Sequence, residues 1–171
     1  MESLLTDTQL QQITAQLGRT PRGIVRIAHQ TATGVPLVLQ MRSLVDDQPF
    51  PTLYWLCSQD LHQAIARIET GGWVKQIEAQ LQTDEALRER YLEDQRGYVA
   101  QRWALMADED RARIAELGFT ELFAQYGIGG IRHWDKVRCL HMQYAHHLCG
   151  RNVIGERMDA AFALRSLAIT R

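Results

Sequence analysis

The apolar residues of this chain change their spacing at Ser58, and that switch restricts the folds open to it. Upstream, Gly23-Ile24-Val25-Arg26-Ile27-Ala28 and Val35-Pro36-Leu37-Val38-Leu39-Gln40-Met41 are β-branched and aliphatic runs joined through Thr31-Ala32-Thr33-Gly34, the pattern of a hairpin. A turn at Asp46-Asp47-Gln48-Pro49-Phe50-Pro51 leads into a third strand, Thr52-Leu53-Tyr54-Trp55-Leu56-Cys57. Downstream the repeat lengthens to about 3.6 residues, with Leu61, Ile65 and Ile68 on one helix face and Trp73, Ile77 and Leu81 on the next. Strands gathered at one end and helices at the other exclude an alternating βαβ arrangement. The expectation is an α+β fold in which a small antiparallel β-sheet of about three strands is packed by a larger helical portion. At 171 residues the chain has the size of a single domain, residues 1–171, and its 46% hydrophobic content supplies a core.

Local signals refine this outline. Thr6-Asp7-Thr8-Gln9 has the spacing of a capping box, and Leu10, Ile13 and Leu17 repeat helically until Gly18. Pro36 is expected to confine the second strand to a sheet edge, or to move its start later. Ser58 reads as an N-cap, Gly71-Gly72 as a stop, and Thr83 as the cap of a long helix towards Trp103. The charged stretch from Asp108 to Glu116 reads as a further helix. Beyond the break at Gly127-Ile128-Gly129-Gly130, a helix is expected from about Trp134 to Leu148, then an amphipathic stretch with Met158, Phe162 and Leu167.

Charge and cysteine content narrow the function classes. Nineteen basic residues against twenty acidic ones give a net charge of −1, so nucleic acid is not an expected partner. Only Lys75 and Lys136 among the basic residues are lysines, which leaves arginine forks for carboxylate or phosphate, or ordinary surface charge. No apolar run has membrane-span length and Met1-Glu2-Ser3-Leu4-Leu5 lacks signal-peptide character, so a cytoplasmic protein without a membrane partner is expected. Cys57, Cys139 and Cys149 have no C-x-x-C spacing and read as free thiols; no metal is expected, and no cofactor is specified.

Candidate chemistry concentrates between residues 127 and 152. On the expected helix, Val137, Leu140, Tyr144 and Leu148 form an apolar stripe that contains His141, while Asp135, Cys139, Gln143 and His146 line the opposite side. His141 is thus expected to be partly buried, either as a satisfied core histidine or as an acid–base group. Cys139 and His146 stand roughly 10 Å apart along such a helix and cannot form a dyad by themselves. A nucleophilic Cys139 or a zinc site would need partners from elsewhere, such as His29 or His62. The 127–130 glycines fit neither phosphate-loop template, although Gly129 and Gly130 before a helix could offer backbone donors to an anion, supported by Arg132 and Lys136. A plain turn is the other reading. Tyr91, Gln95, Tyr98 and Arg102 share a narrow helical sector, either a surface ridge or a cleft wall anchored by Arg102. Arg19 and Arg22 supply another wall, or merely hold their turn in place.

Gln16-Leu17-Gly18-Arg19, Pro21-Arg22-Gly23 and Pro49-Phe50-Pro51-Thr52-Leu53-Tyr54-Trp55-Leu56, with Val137-Arg138-Cys139-Leu140-His141, Ala145-His146 and the segment from Asn152 to Gly155, resemble the bacterial "domain of unknown function 501" family. The resemblance runs from about Gln16 to Phe162 and implies a bacterial, cytosolic protein without assigning an activity. Members carry cysteines in the first hairpin and just after the third strand, where this chain has Gln30, Thr33 and Ser58, with Cys57 one position away. One position turns a strand side chain to the opposite face, so a metal site built on those cysteines is not expected.

These features combine into one expectation: a cleft between the sheet and the C-terminal helices that binds an anionic small molecule, phosphorylated or carboxylated. Arg19, Arg22, Tyr98, Arg102, Gly129, Gly130, Arg138, His146 and Asn152 would line it, with His141 and Cys139 as the catalytic groups of a hydrolase or transferase. The alternative is a non-catalytic protein-interaction or scaffolding module, with Trp73 or Trp103 marking its partner surface.

Overall fold

In the computed structural model, which describes residues 4–170, the period-two segment forms an antiparallel sheet from β1 (Ile24–Gln30), β2 (Pro36–Met41) and β5 (Tyr54–Leu56), ordered β1-β2-β5. The expected turn at 46–51 overlaps a two-stranded ribbon of β3 (Leu44–Val45) and β4 (Gln48–Pro49), which turns at Asp46-Asp47. Pro36 does not push β2 to an edge: β2 is the central strand and all six of its residues are buried. Proline is tolerated there because it is the strand's first residue, opposite Gln30, so its missing N–H falls at the end of the ladder. Both faces of the sheet are covered. Leu39, Met41 and Cys57 pack on Ile13 of α1 (Asp7–Leu17), while Val38, Tyr54 and Leu56 join the main helical core.

Four of the described helices, the first, second, fourth and eighth, start where a capping side chain satisfies one of their first N–H groups. Thr6 and Gln9 close the capping box of α1, which stops at left-handed Gly18. Ser58 caps α2 (Gln59–Thr70), accepting from the Leu61 N–H at 3.3 Å. After α3 (Trp73–Thr83), the cap of α4 (Glu85–Leu105) is Asp84 rather than Thr83; its carboxylate accepts from the Leu87 N–H at 3.0 Å. Then come α5 (Asp108–Leu117), α6 (Thr120–Gln125), a 3-10 turn (Ile128–Gly130), α7 (Leu140–Cys149), α8 (Val153–Phe162) and a second 3-10 turn (Leu164–Ser166). The α+β expectation therefore holds, and no helix among the described residues is long and apolar enough to cross a membrane.

The expected helix from Trp134 starts six residues late. Between 131 and 139 the backbone is irregular because tertiary partners replace the helical ladder. The Val137 N–H donates to Glu78, the Leu140 N–H to Glu69, and the Lys136 carbonyl accepts from Tyr91 Oη. The helix that does form, α7, lies against β5 with α2 and α8 alongside, and both its apolar and its polar sides are buried. The last amphipathic stretch is also shorter than expected, since Ala163 turns left-handed and ends α8 before Leu167.

Candidate functional site

The expected anion-binding residues do not share one cleft. Arg19 and Arg22 are exposed on the rim of a groove of about 240 Å³ floored by Phe50 and Trp55, where Arg22 pairs with Asp46. Tyr98 and Arg102 lie inside the protein: Tyr98 Oη accepts from the Leu53 N–H, and Arg102 donates to the carbonyls of Pro51, Phe123 and Tyr126. Arg102 is thus a structural tether and not an anion anchor, because no carbonyl can be released to a ligand without leaving it unpaired in the core. Gly129 and Gly130 precede an irregular segment instead of a helix, and the Gly130 N–H already donates to the Gly127 carbonyl. Gly129 has another use. It adopts φ +76°, and a Cβ there would meet the Arg138 carbonyl oxygen at 2.9 Å, so only glycine lets this turn support the 138–139 peptide. The two tryptophans of the scaffolding alternative are half-buried in hydrophobic clusters, with Trp73 edge-on to Phe162.

Two of the expected residues do meet. Because the helix begins at Leu140, Cys139 occupies its N-cap and its thiol swings back to His141, with Sγ 3.3 Å from Nδ1. His141 Nε2 lies 3.1 Å from the His62 carbonyl oxygen, and as a carbonyl only accepts, Nε2 carries a proton; in the neutral imidazole this leaves the Nδ1 lone pair facing the thiol. The His62 and His141 rings lie against each other with centroids 4.2 Å apart and their planes tilted by 30°. Glu69, seven residues after His62 on α2, places Oε1 3.5 Å from His141 Nδ1 while accepting from the Leu140 N–H at 2.8 Å. Burial pushes the Cys139 thiol above its ordinary pKa; backbone N–H groups of Met142 and His141 draw it down, and the Glu69 charge opposes them. Burial, helped by His141, holds the pKa of His62 low. His62 was legible as a possible partner. Glu69 was not, since only the packing of α2 on α7 brings it here.

His146 and Asn152 stand together elsewhere. Asn152 Nδ2 bridges Gln143 Oε1 (2.8 Å) and His146 Nδ1 (3.1 Å), while Gln143 Nε2 and Gln95 Nε2 both donate to Tyr91 Oη, at 2.7 and 2.9 Å. His146 Nε2 has no hydrogen-bond partner among the described residues, and the ring lines a cleft of about 310 Å³ with Asp94, Gln101, Gly150 and Arg151. Burial, reinforced by His147, lowers the His146 pKa to about 4. The folded state thus rejects a proton that the unfolded chain accepts near the ordinary pKa of about 6.5, so stability is full above that value and declines as pH falls towards 4. The expected loss attributable to His146 is about 2 kcal/mol at about pH 5. Urea unfolding of the protein and of His146→Gln at about pH 7 and about pH 5 measures it. Equal pH dependence in the two proteins would remove His146 as the cause.

A family model described as a protein of unknown function (DUF501) matches residues 27–160. No curated protein and no solved structure matches the chain.

Proposed function

The chain belongs to this family of unknown function, DUF501, and from that premise we propose that it is a thiol-dependent acyl hydrolase or transferase centred on Cys139. The observation that carries the reading is the 3.3 Å approach of Cys139 Sγ to an imidazole nitrogen whose lone pair is oriented by the His62 carbonyl on the far side of the ring. Sγ attacks the substrate's carbonyl carbon as its proton passes to His141 Nδ1, and the collapsing adduct expels its leaving group, which takes that proton. The thioester left on Cys139 is then released to water or to a second acceptor. Glu69, beside Nδ1, steadies the transient imidazolium. Arg138, exposed and adjacent in the chain to the nucleophile, favours a substrate with a carboxylate or phosphate.

p-Nitrophenyl acetate, followed by intact mass, tests this reading. The expected result is one acetyl group on Cys139, absent in Cys139→Ser and formed roughly 10²-fold more slowly in His141→Gln. Acetylation no faster than that of free cysteine, or falling instead on Cys149, overturns it.

A further inference from the structure

A thiol–imidazole pair needs one group at the reacting nitrogen, yet this site places two there. Cys139 Sγ and Glu69 Oε1 stand 3.3 and 3.5 Å from the same His141 Nδ1, and all three donor atoms lie within 4.8 Å of one another. An acid that only oriented the imidazole would sit at Nε2, a place taken by the His62 carbonyl. Three electron-pair donors facing a common point is the arrangement that a cation requires. Tetrahedral zinc, with bonds of about 2.3 Å to sulfur and about 2.0–2.1 Å to nitrogen or oxygen, separates its donors by about 3.3–3.6 Å, and two of the three spacings already match.

We propose that Glu69, Cys139 and His141 form a binding site for a zinc-type divalent ion. Thiolate, imidazole and carboxylate together suit zinc, whereas magnesium and calcium select oxygen donors alone. The donors are held before any ion arrives. Glu69 is pinned by the Leu140 N–H at 2.8 Å, Cys139 stands at the helix cap, and the His62 carbonyl fixes the imidazole as such contacts do for metal-bound histidine. Thiolate and carboxylate neutralise the ion, the thiol proton leaves to solvent, and three protein ligands leave one coordination position open. Zinc would draw electron density from the bound sulfur and occupy the His141 Nδ1 lone pair that serves as its base, so the loaded form is the silent state of the centre. That silence rests on the thiol reading above; the binding does not.

The experiment titrates the chelator-stripped protein with zinc against a chromophoric competitor, and follows acetylation of Cys139 by p-nitrophenyl acetate in the same samples. Cobalt replaces zinc for spectroscopy. The expected result is one ion per chain, a near-ultraviolet thiolate-to-cobalt band, and loss of acetylation in step with occupancy. Glu69→Gln, which keeps an oxygen for the Leu140 N–H, weakens zinc at least about tenfold, and Cys139→Ser removes the cobalt band. Thermal melts confirm that both variants fold. Stoichiometric zinc on a thiol that never acetylates sinks the enzyme reading and leaves the metal site standing. A reactive thiol that binds no zinc, or zinc that binds equally well in Glu69→Gln, overturns the metal site.

Discussion

Arg102→Ala is expected to lower stability by about 3–5 kcal/mol, a large part of the roughly 5–15 kcal/mol that holds a domain folded. Arg102 is wholly buried, and its guanidinium gathers the carbonyls of Pro51, Phe123 and Tyr126 at 2.7, 2.5 and 2.7 Å. Those acceptors come from the approach to β5 and from the C-terminal half of α6 with its capping residue, so one side chain ties the sheet to the helical half. Alanine leaves all three carbonyls without a donor, at about 1–3 kcal/mol for each that water cannot reach. It also removes the stacking of the guanidinium over Tyr98 and Phe123, whose ring centres lie 5.5 and 5.2 Å away. The buried cation carries its own desolvation cost, seen in its lowered pKa, and this is why the figure stays below the sum of its bonds. Arg102→Lys retains the charge but not the fork, and should recover only part of the loss. Urea midpoints decide. A loss under about 1 kcal/mol for the alanine variant contradicts the tether.

Gly155→Ala is the second large expected effect, although the substitution adds one methyl group. Gly155 lies in the first turn of α8, its N–H donating to Asn152 Oδ1 at 2.9 Å. Alanine favours a helix over glycine by about 1 kcal/mol, so local propensity alone predicts a stabler protein. Packing predicts the reverse. A Cβ at 155 would stand 2.1 Å from His147 Cβ and 2.3 Å from His147 Cγ, atoms fixed close to the α7 backbone that cannot swing aside. The helices must separate, which disturbs the contacts of His147 and Tyr144 with Asp159, 2.7 and 2.8 Å respectively. Overpacking of this kind costs about 3 kcal/mol and outweighs the propensity gain. A melting temperature equal to or above that of the unchanged protein would show that α7 and α8 can part freely.

The stripe formed by Tyr91, Gln95, Tyr98 and Arg102 shows how far periodicity reaches. Spacing placed these residues on one sector of one helix, and they do share it. Whether that sector met water, a ligand or the core depended on chain far away. Tyr91 reaches the Lys136 carbonyl, Gln95 Oε1 the Ile128 N–H, Tyr98 the Leu53 N–H, and Arg102 its carbonyls. A polar stripe that spacing left as a surface ridge or a cleft wall is instead a row of plugs for irregular backbone. The same limit applies to α7. A wheel drawn from Trp134 put Cys139 far from any imidazole it could use, because it took as helical a segment whose backbone is satisfied by Glu69, Glu78 and Tyr91.

Sequence alone determined the α+β class, the three strands, the α1 and α2 caps and the apolar seams of the early helices. Each of these follows from chemistry within a few residues: side-chain period, capping oxygens, and the conformational freedom of glycine. Tertiary structure alone decided that β2 is central, that Arg102 is buried, and that Glu69 joins Cys139 and His141. Those outcomes depend on which remote donor meets which acceptor. Buried polar groups must be paired, but their local sequence does not name the partner.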